Sequence, residues 1–462
     1  MEKYKIGIGL TSHNRPEVFK ETLKKIKQFK PKGAKIVVVD DGSTVKIKNA
    51  DFRFNQAQGI AIAKNKCLEL LDGCDYVFLF DDDIFPKVKD WHLPYIESGL
   101  NHMQYTFGNF SNGRKNGRLL VRKDHKFSYW AEPCGCMNFY TREAIEKVGG
   151  MDPDYGIWGY EHVGHSMRIH HAGLTPQPFI DVVNSNDLFY SYDFDQTTKR
   201  SVDPSIRSAH IQGNKAKYER ERNAKSSHFI PYKPLNSIVL TSYLTAAKDP
   251  QRNENFTVDV SSVVPLFVSC AENKAKVAMI SDCFEQANDG HLDSVRVEPD
   301  YKTNPYFRRW QLYYDYLVAH PEIEQIFMVD ATDVEMKINP FMNMRSGVLY
   351  VGDEPSTINN TWLKKHHKNP VFNPMYYTYS QRQLFNAGVV GGFRADVMHF
   401  LKLMIDFYAE TKGIEQMTDM SALNYLVYFK IGAGKIISGR KVNTVFKAFD
   451  AENKSNSWFS HK

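Results

Sequence analysis

Three consecutive aspartates, Asp81-Asp82-Asp83, close the apolar run Tyr76-Val77-Phe78-Leu79-Phe80. A buried strand that ends in clustered carboxylates needs cations or protons to offset their charge. Hard oxygen ligands in this arrangement suit Mg²⁺ or Mn²⁺ shared with a substrate diphosphate. Asp81 and Asp83 form a D-x-D pair, two residues apart on extended chain, so both can turn toward one ion. A solvated acidic turn is the plain alternative.

The surrounding chain supplies the elements that must position such a cluster. Tyr4–Leu10 reads as a strand and 16–29 as a helix with Val18, Leu23 and Ile26 on its apolar side. Lys35–Asp40 is a second buried strand, 59–71 a second helix, and Tyr76–Phe80 the third strand. This βαβαβ spacing predicts an α/β fold with a mostly parallel, Rossmann-like sheet and ligands at the carboxyl ends of its strands. Asp40-Asp41-Gly42-Ser43 and the aspartate triplet both fall at such ends.

The stretch 223–236 contains two prolines and lacks periodicity, as a linker does. Alternation resumes beyond it with Ser237–Leu240, Val264–Ser269, Lys276–Ile280 and Gln325–Asp330, the last running into Ala331-Thr332-Asp333. The sequence thus predicts two tandem domains, 1–228 and 229–462.

At 462 residues, with 42% apolar and 24% charged residues, the chain has room for two or three cores. Its charged start, Met1-Glu2-Lys3-Tyr4-Lys5, lacks the apolar core of a secretory signal. No apolar stretch approaches the roughly 18 residues that span a bilayer. The expected location is the cytoplasm, or a host cytoplasm if the chain is viral. Six cysteines then read as reduced thiols. Cys134-Gly135-Cys136 has neither the spacing nor the partner pair of a structural zinc site. A net charge of +6 fits an anionic substrate or an acidic polymer without diagnosing nucleic-acid binding.

Several motifs recur in a known order. Thr11-Ser12-His13-Asn14-Arg15-Pro16 follows the first strand, and Val37-Val38-Val39-Asp40-Asp41-Gly42-Ser43 ends the second. Asn55, Gly59, Ala63 and Asn65 precede the aspartates. Gly149-Gly150-Met151-Asp152, Trp158-Gly159-Tyr160-Glu161, Arg168 and Gly173 come after. In this order and spacing, residues 5–215 resemble a family 2 glycosyltransferase of the GT-A fold. The resemblance implies transfer from a nucleotide-sugar, most simply a UDP-sugar, with Mn²⁺ or Mg²⁺. Asp40 or Asp41 would accept from a uracil-type N–H, with Thr11, Asn14, Arg15 and Asn65 nearby. Asp81 would face the ribose or metal, Asp82 would belong to the donor-binding set, and Asp83 would ligate the ion directly. His210, in Arg207-Ser208-Ala209-His210 before a basic helix over 215–225, is the expected third ligand. The family's E-D pair is Glu161-His162 here, so either Glu161, the commoner type of base, or His162 takes the acceptor proton. Glu-His-x-x-His lacks the His-Glu order of a zinc protease. Trp130 could stack on a sugar or pack as a core aromatic.

Residues 237–450 resemble the GT-A superfamily more loosely. Asp330 to Asp333 stands where a D-x-D belongs, one residue too long, which implies a second metal pair in Asp333 and Asp330. Phe385-Asn386-Ala387-Gly388 looks like the N-x-G segment of retaining sugar transferases. Thr418-Asp419 resembles their acidic helix start, so Asn386, Gly388 and Asp419 would face a donor sugar. Tyr306-Phe307-Arg308-Arg309-Trp310 and Trp362-Leu363-Lys364-Lys365-His366-His367-Lys368 mix cations with aromatics and could line a groove. An amphipathic helix explains the first equally well.

The reading that follows is a metal-dependent glycosyltransferase, bifunctional if both sites act, with a glycan or other hydroxyl acceptor. A hydroxymethylated base of phage DNA is an alternative acceptor. A carbohydrate- or nucleic-acid-binding scaffold without activity is the rival class.

Overall fold

The computed structural model describes residues 4–197, 203–366, 369–411, 419–445 and 456–461. Met1 to Lys3, His367, Lys368 and Thr418, named above, lie outside them. The chain divides into two compact units, Met1–Lys233 and Pro234–Lys462.

In the N-terminal unit, β1 (Ile6–Ser12), α1 (Pro16–Phe29), β2 (Lys35–Asp40), β3 (Phe52–Arg53), α2 (Ile60–Leu70) and β4 (Tyr76–Asp81) follow in order. All seven residues of β1 are buried, which suits a central strand paired in parallel on both sides. The sheet runs β3-β2-β1-β4, then Met137–Thr141 and His102–Gln104, the last two pairings being antiparallel. Pro16 starts α1, where its missing N–H costs nothing. Phe19, Thr22 and Ile26 then recur on its buried side. Register sets Thr11 beside Asp81 and Ser12 beside Asp40, gathering the chemistry-bearing residues at one edge of the sheet.

The C-terminal unit repeats this plan. Ser237–Tyr243 lies between the parallel strands Val277–Ser281 and Gln325–Asp330, with Ser242 beside Asp330. Gln383–Phe393 then pairs antiparallel to Gln325–Asp330. Val264–Glu272 is a helix, with proline in its first turn and Leu266 and Cys270 buried. The closing strand Phe459–His461 pairs antiparallel with Val334–Met336, setting His461 opposite Val334. The fold class is therefore the expected one, α/β with two tandem, mostly parallel sheets. All six cysteines are free thiols. Among the described residues no helix is long and apolar enough to cross a membrane.

Candidate active site

A cavity of about 460 Å³ opens at the carboxyl ends of β1 and β4. Thr11, Ser12, Arg15 and Asp41 line it beside Asp81, Asp82 and Asp83. Cys134–Cys136 and Trp158–Val163 form its walls, and Arg207, Ile211 and Tyr218 of the helix Pro204–Arg222 complete it. That helix is held by aromatic contacts. The Arg207 guanidinium lies 4.0 Å from the Trp158 ring centre, and Tyr218 stacks on Tyr160 at 4.7 Å.

Two built-in cations offset the aspartate triplet. Arg15 donates to Asp83 at 2.8 Å and to Asp82, which also accepts from the Ser12 hydroxyl. Lys64, only 1% exposed, sits 2.8 Å from Asp81 and donates to the Gly135 carbonyl at 3.2 Å. Burial pushes Asp82 up to about 7 against the pull of Arg15, and raises Asp81 against that of Lys64. Asp81 and Asp83 each spend one oxygen, Oδ1 and Oδ2 respectively, on these cations. Their other oxygens carry no hydrogen bond among the described residues.

Across the cavity, Glu161 and His162 form a dyad at the start of the helix Glu161–His171. Glu161 Oε2 accepts from the Gly159 N–H at 2.7 Å, and Oε1 lies 3.1 Å from His162 Nδ1. Burial works to raise the Glu161 carboxyl, but the His162 hydrogen bond and charge, together with Lys64, outweigh it and hold it at about 2. With Oε1 as acceptor, Nδ1 carries a proton in either charge state, so in the neutral ring Nε2 is the open nitrogen. A side chain on Gly135 would reach 2.3 Å from His162 Cδ2, so glycine is what lets the ring lie against the cysteine turn.

Several sequence expectations need correction. Asp40 is fully buried and organises its own turn, accepting from Ser43 N and Ile47 N and pairing with Arg53. Asn14 stands outside the cavity lining and accepts from Thr44 N at 2.7 Å. Asn65 exchanges two hydrogen bonds with the Met151 backbone, at 2.8 and 2.7 Å, and acts as a strut. His210 does not line the cavity, although Arg207 and Ile211 of its helix do. Trp130 packs beside Val163, Met167 and Phe179. Asp41 does line the cavity, its oxygens accepting from Gln58 N at 2.7 Å and Gly59 N at 3.0 Å.

Lys64 was missed, yet it stands on the stripe Ala61, Lys64, Leu68, Leu71, where a lone cation on a buried helix face is a signal.

In the C-terminal unit, ligand atoms of Asp330, Asp333 and His461 lie within 4.8 Å of one another. His461 Nε2 is 3.8 Å from Asp333 and 4.0 Å from Asp330. A side chain on Gly388 would meet His461 at 2.4 Å and Asp330 at 2.7 Å, so this glycine makes room for the cluster. Arg309 ties Asp330 to Asp419, which also accepts from Trp310 Nε1 at 2.9 Å. Asp419 spends Oδ2 on this network, and Asn386 is held by Glu354 and Gly388 N. Phe307 and Trp310 belong to the core, which resolves the Tyr306–Trp310 stretch as an amphipathic helix. His461, like Arg309, carries no local motif that ties it to Asp330.

The N-terminal unit is therefore an α/β unit with a carboxylate-rich cavity at its strand ends, held by internal cations and faced by an acid–imidazole dyad. Residues 8–97, spanning β1 to β4 and the triplet, match the family model of Glycosyl transferase family 2. The resemblance drawn from the motifs is borne out over that span. The chain is also 27% identical over 211 residues to an uncharacterized glycosyltransferase of Acanthamoeba polyphaga mimivirus, covering 40% of this chain and 79% of that protein. Among solved structures, it is similar to the mannosyltransferase PcManGT from Pyrobaculum calidifontis, in complex with GDP-Man and Mn²⁺. That match has a TM-score of 0.29 and 16% identity, over 38% of this chain and 57% of that one.

Proposed function

We propose that the N-terminal unit is a nucleotide-sugar-dependent glycosyltransferase whose donor diphosphate binds at the carboxyl ends of β1 and β4. The observation that carries this reading is the uncommitted oxygen on each of Asp81 and Asp83, in a cavity also lined by the Glu161–His162 dyad. Two hard oxygens plus phosphate oxygens and water suit Mg²⁺ or Mn²⁺, so Asp81 and Asp83 would hold the ion. When bound, that ion supplies Lewis-acid stabilisation of the departing diphosphate. Arg15 and Lys64 fix the carboxylates in register. Asp41 and Thr11 are the residues best placed for the nucleoside, each Asp41 oxygen keeping a second lone pair for a uracil-type N–H. A UDP-sugar is accordingly the first donor to test.

His162 Nε2 takes the proton from a glycan hydroxyl as the hydroxyl oxygen attacks the anomeric carbon. Glu161 keeps the proton on Nδ1 and stabilises the imidazolium that forms. One base and direct displacement give inversion at that carbon. Glu161 itself is the poorer base, because both its oxygens are engaged and its carboxyl lies at about 2.

Release of nucleoside diphosphate from a panel of sugar nucleotides with Mn²⁺ tests the reading. Asp83→Ala is expected to lose roughly a hundredfold or more in turnover. Equal turnover in the variant removes the assigned ion. No turnover with any donor returns the chain to the binding-scaffold class.

The Asp330, Asp333 and His461 cluster favours a second divalent-ion centre in the C-terminal unit. Calorimetric titration with Mn²⁺ and nucleotide is expected to find two ions per chain, and one in His461→Ala. Gly388→Ala, which pushes His461 aside, is expected to weaken the second ion by about 10–100-fold. A single ion in the unaltered protein overturns the second centre.

A further inference from the structure

The segment 114–126 carries six lysines and arginines against one acid, Asp124. Within it, Leu120–Lys123 is the outer strand of a three-stranded sheet, paired antiparallel with Phe127–Trp130. Every residue of the outer strand is exposed, although Arg122 lies 4.1 Å from the Tyr129 ring centre and Lys123 reaches Asn184 at 3.4 Å. Leu119 and Val121 are each 65% exposed and Leu120 43%. Asp124 is occupied inside the turn, accepting from Lys126 N and Phe127 N, both at 2.8 Å. Its single negative charge offsets only one of the six cations. An unpartnered strand edge bearing three adjacent aliphatic side chains is disfavoured in a protein that meets only water.

We infer that this hairpin docks the protein on an anionic lipid surface. Aliphatic side chains flanked by lysine and arginine match the boundary between acyl chains and negatively charged headgroups. Edge-to-edge pairing with a second copy would instead set six cations against six. Nucleic acid would use the cations but leave Leu119, Leu120 and Val121 in water, and the segment has no Phe, Tyr or Trp on which bases could stack. Arg118, at the base of the strand, also lines the active-site cavity and donates to the Pro133 carbonyl at 3.2 Å. The docking element thus stands at the cavity rim and would turn its mouth toward the surface. The inference uses charge and exposure alone and does not depend on the proposed transferase activity.

Co-sedimentation of the full chain with vesicles tests it. Vesicles of phosphatidylcholine with phosphatidylglycerol are compared with phosphatidylcholine alone, at low and high salt. Partition onto the anionic vesicles is expected to exceed that onto neutral ones by about tenfold or more, and to fall with salt. The variant L119S/L120S/V121S and the variant R122Q/K123Q/K126Q are each expected to lose about tenfold or more, with unchanged circular dichroism and melting temperature. The altered side chains are exposed, so folding is preserved. Absence of binding to anionic vesicles overturns the inference, as does binding that survives both variants. It is also overturned if the serine variant binds vesicles as the unaltered chain does while the glutamine variant loses duplex DNA equally, which marks a general polyanion surface. A dimer dissolved by the serine variant with vesicle binding intact assigns the strand to a second copy.

Discussion

His162→Gln is expected to lower kcat by roughly 10²–10⁴-fold with little change in KM, because it removes the proton acceptor and leaves the donor site intact. Glu161→Gln is expected to cost less, since the imidazole remains but loses its orienting carboxylate. The pH profile separates the two bases. A carboxyl at about 2 stays ionised from about pH 4 to pH 9, so Glu161 as base yields no acidic limb in that window. A limb in which kcat/KM rises with pH inside that window marks a base other than Glu161. A flat profile over that window, with a His162→Gln enzyme that retains activity, returns the role to Glu161. The same carboxyl makes a stability statement. Its folded value lies below the unfolded one, near 4.3, so its contribution is present above about pH 4.3 and is lost as pH falls toward 2.

Lys64→Met is expected to destabilise the N-terminal unit by about 2–4 kcal/mol. Breaking a fully buried pair costs about 3–5 kcal/mol, and the lower figure applies because the Asp81 side chain is 27% exposed. Burial alone would lower the Lys64 ammonium, yet Asp81 and Glu161 hold it above its ordinary value. Its charge is therefore retained beneath the site. Chemical denaturation reads the loss as a lower midpoint at unchanged slope. The double variant Lys64→Met/Asp81→Asn is expected to recover most of the stability, since no uncompensated charge remains, while turnover stays low. A single variant as stable as the parent means that solvent, and not Lys64, offsets Asp81.

These predictions turn on pairings that the chain order conceals. Tyr76–Phe80 announces a buried strand and Asp81-Asp82-Asp83 announces its charged end, because strand length, apolarity and turn residues are local properties. The same holds for Asp41 at the end of β2 and for Gln325–Asp330 in the second unit. Asp40 and Asn65 were misread because a polar residue at a strand end or helix start serves the backbone as readily as a ligand, and sequence alone does not distinguish the two. The motif assigns Arg15 to the nucleotide, but its first partners are Asp82 and Asp83, at the end of the neighbouring strand.

Residue order by itself determined two α/β units, the acid-ended strands and the resemblance carried by the motifs of the first half. Those features follow from hydrophobic period and turn chemistry within a few residues. Tertiary structure alone decided which distant charges meet: Lys64 under Asp81, Arg15 against Asp82 and Asp83, and His461 of the last strand beside Asp330 and Asp333. Strand register and helix packing bring these groups within a few ångströms, and electrostatic pairing depends on that distance rather than on separation along the chain.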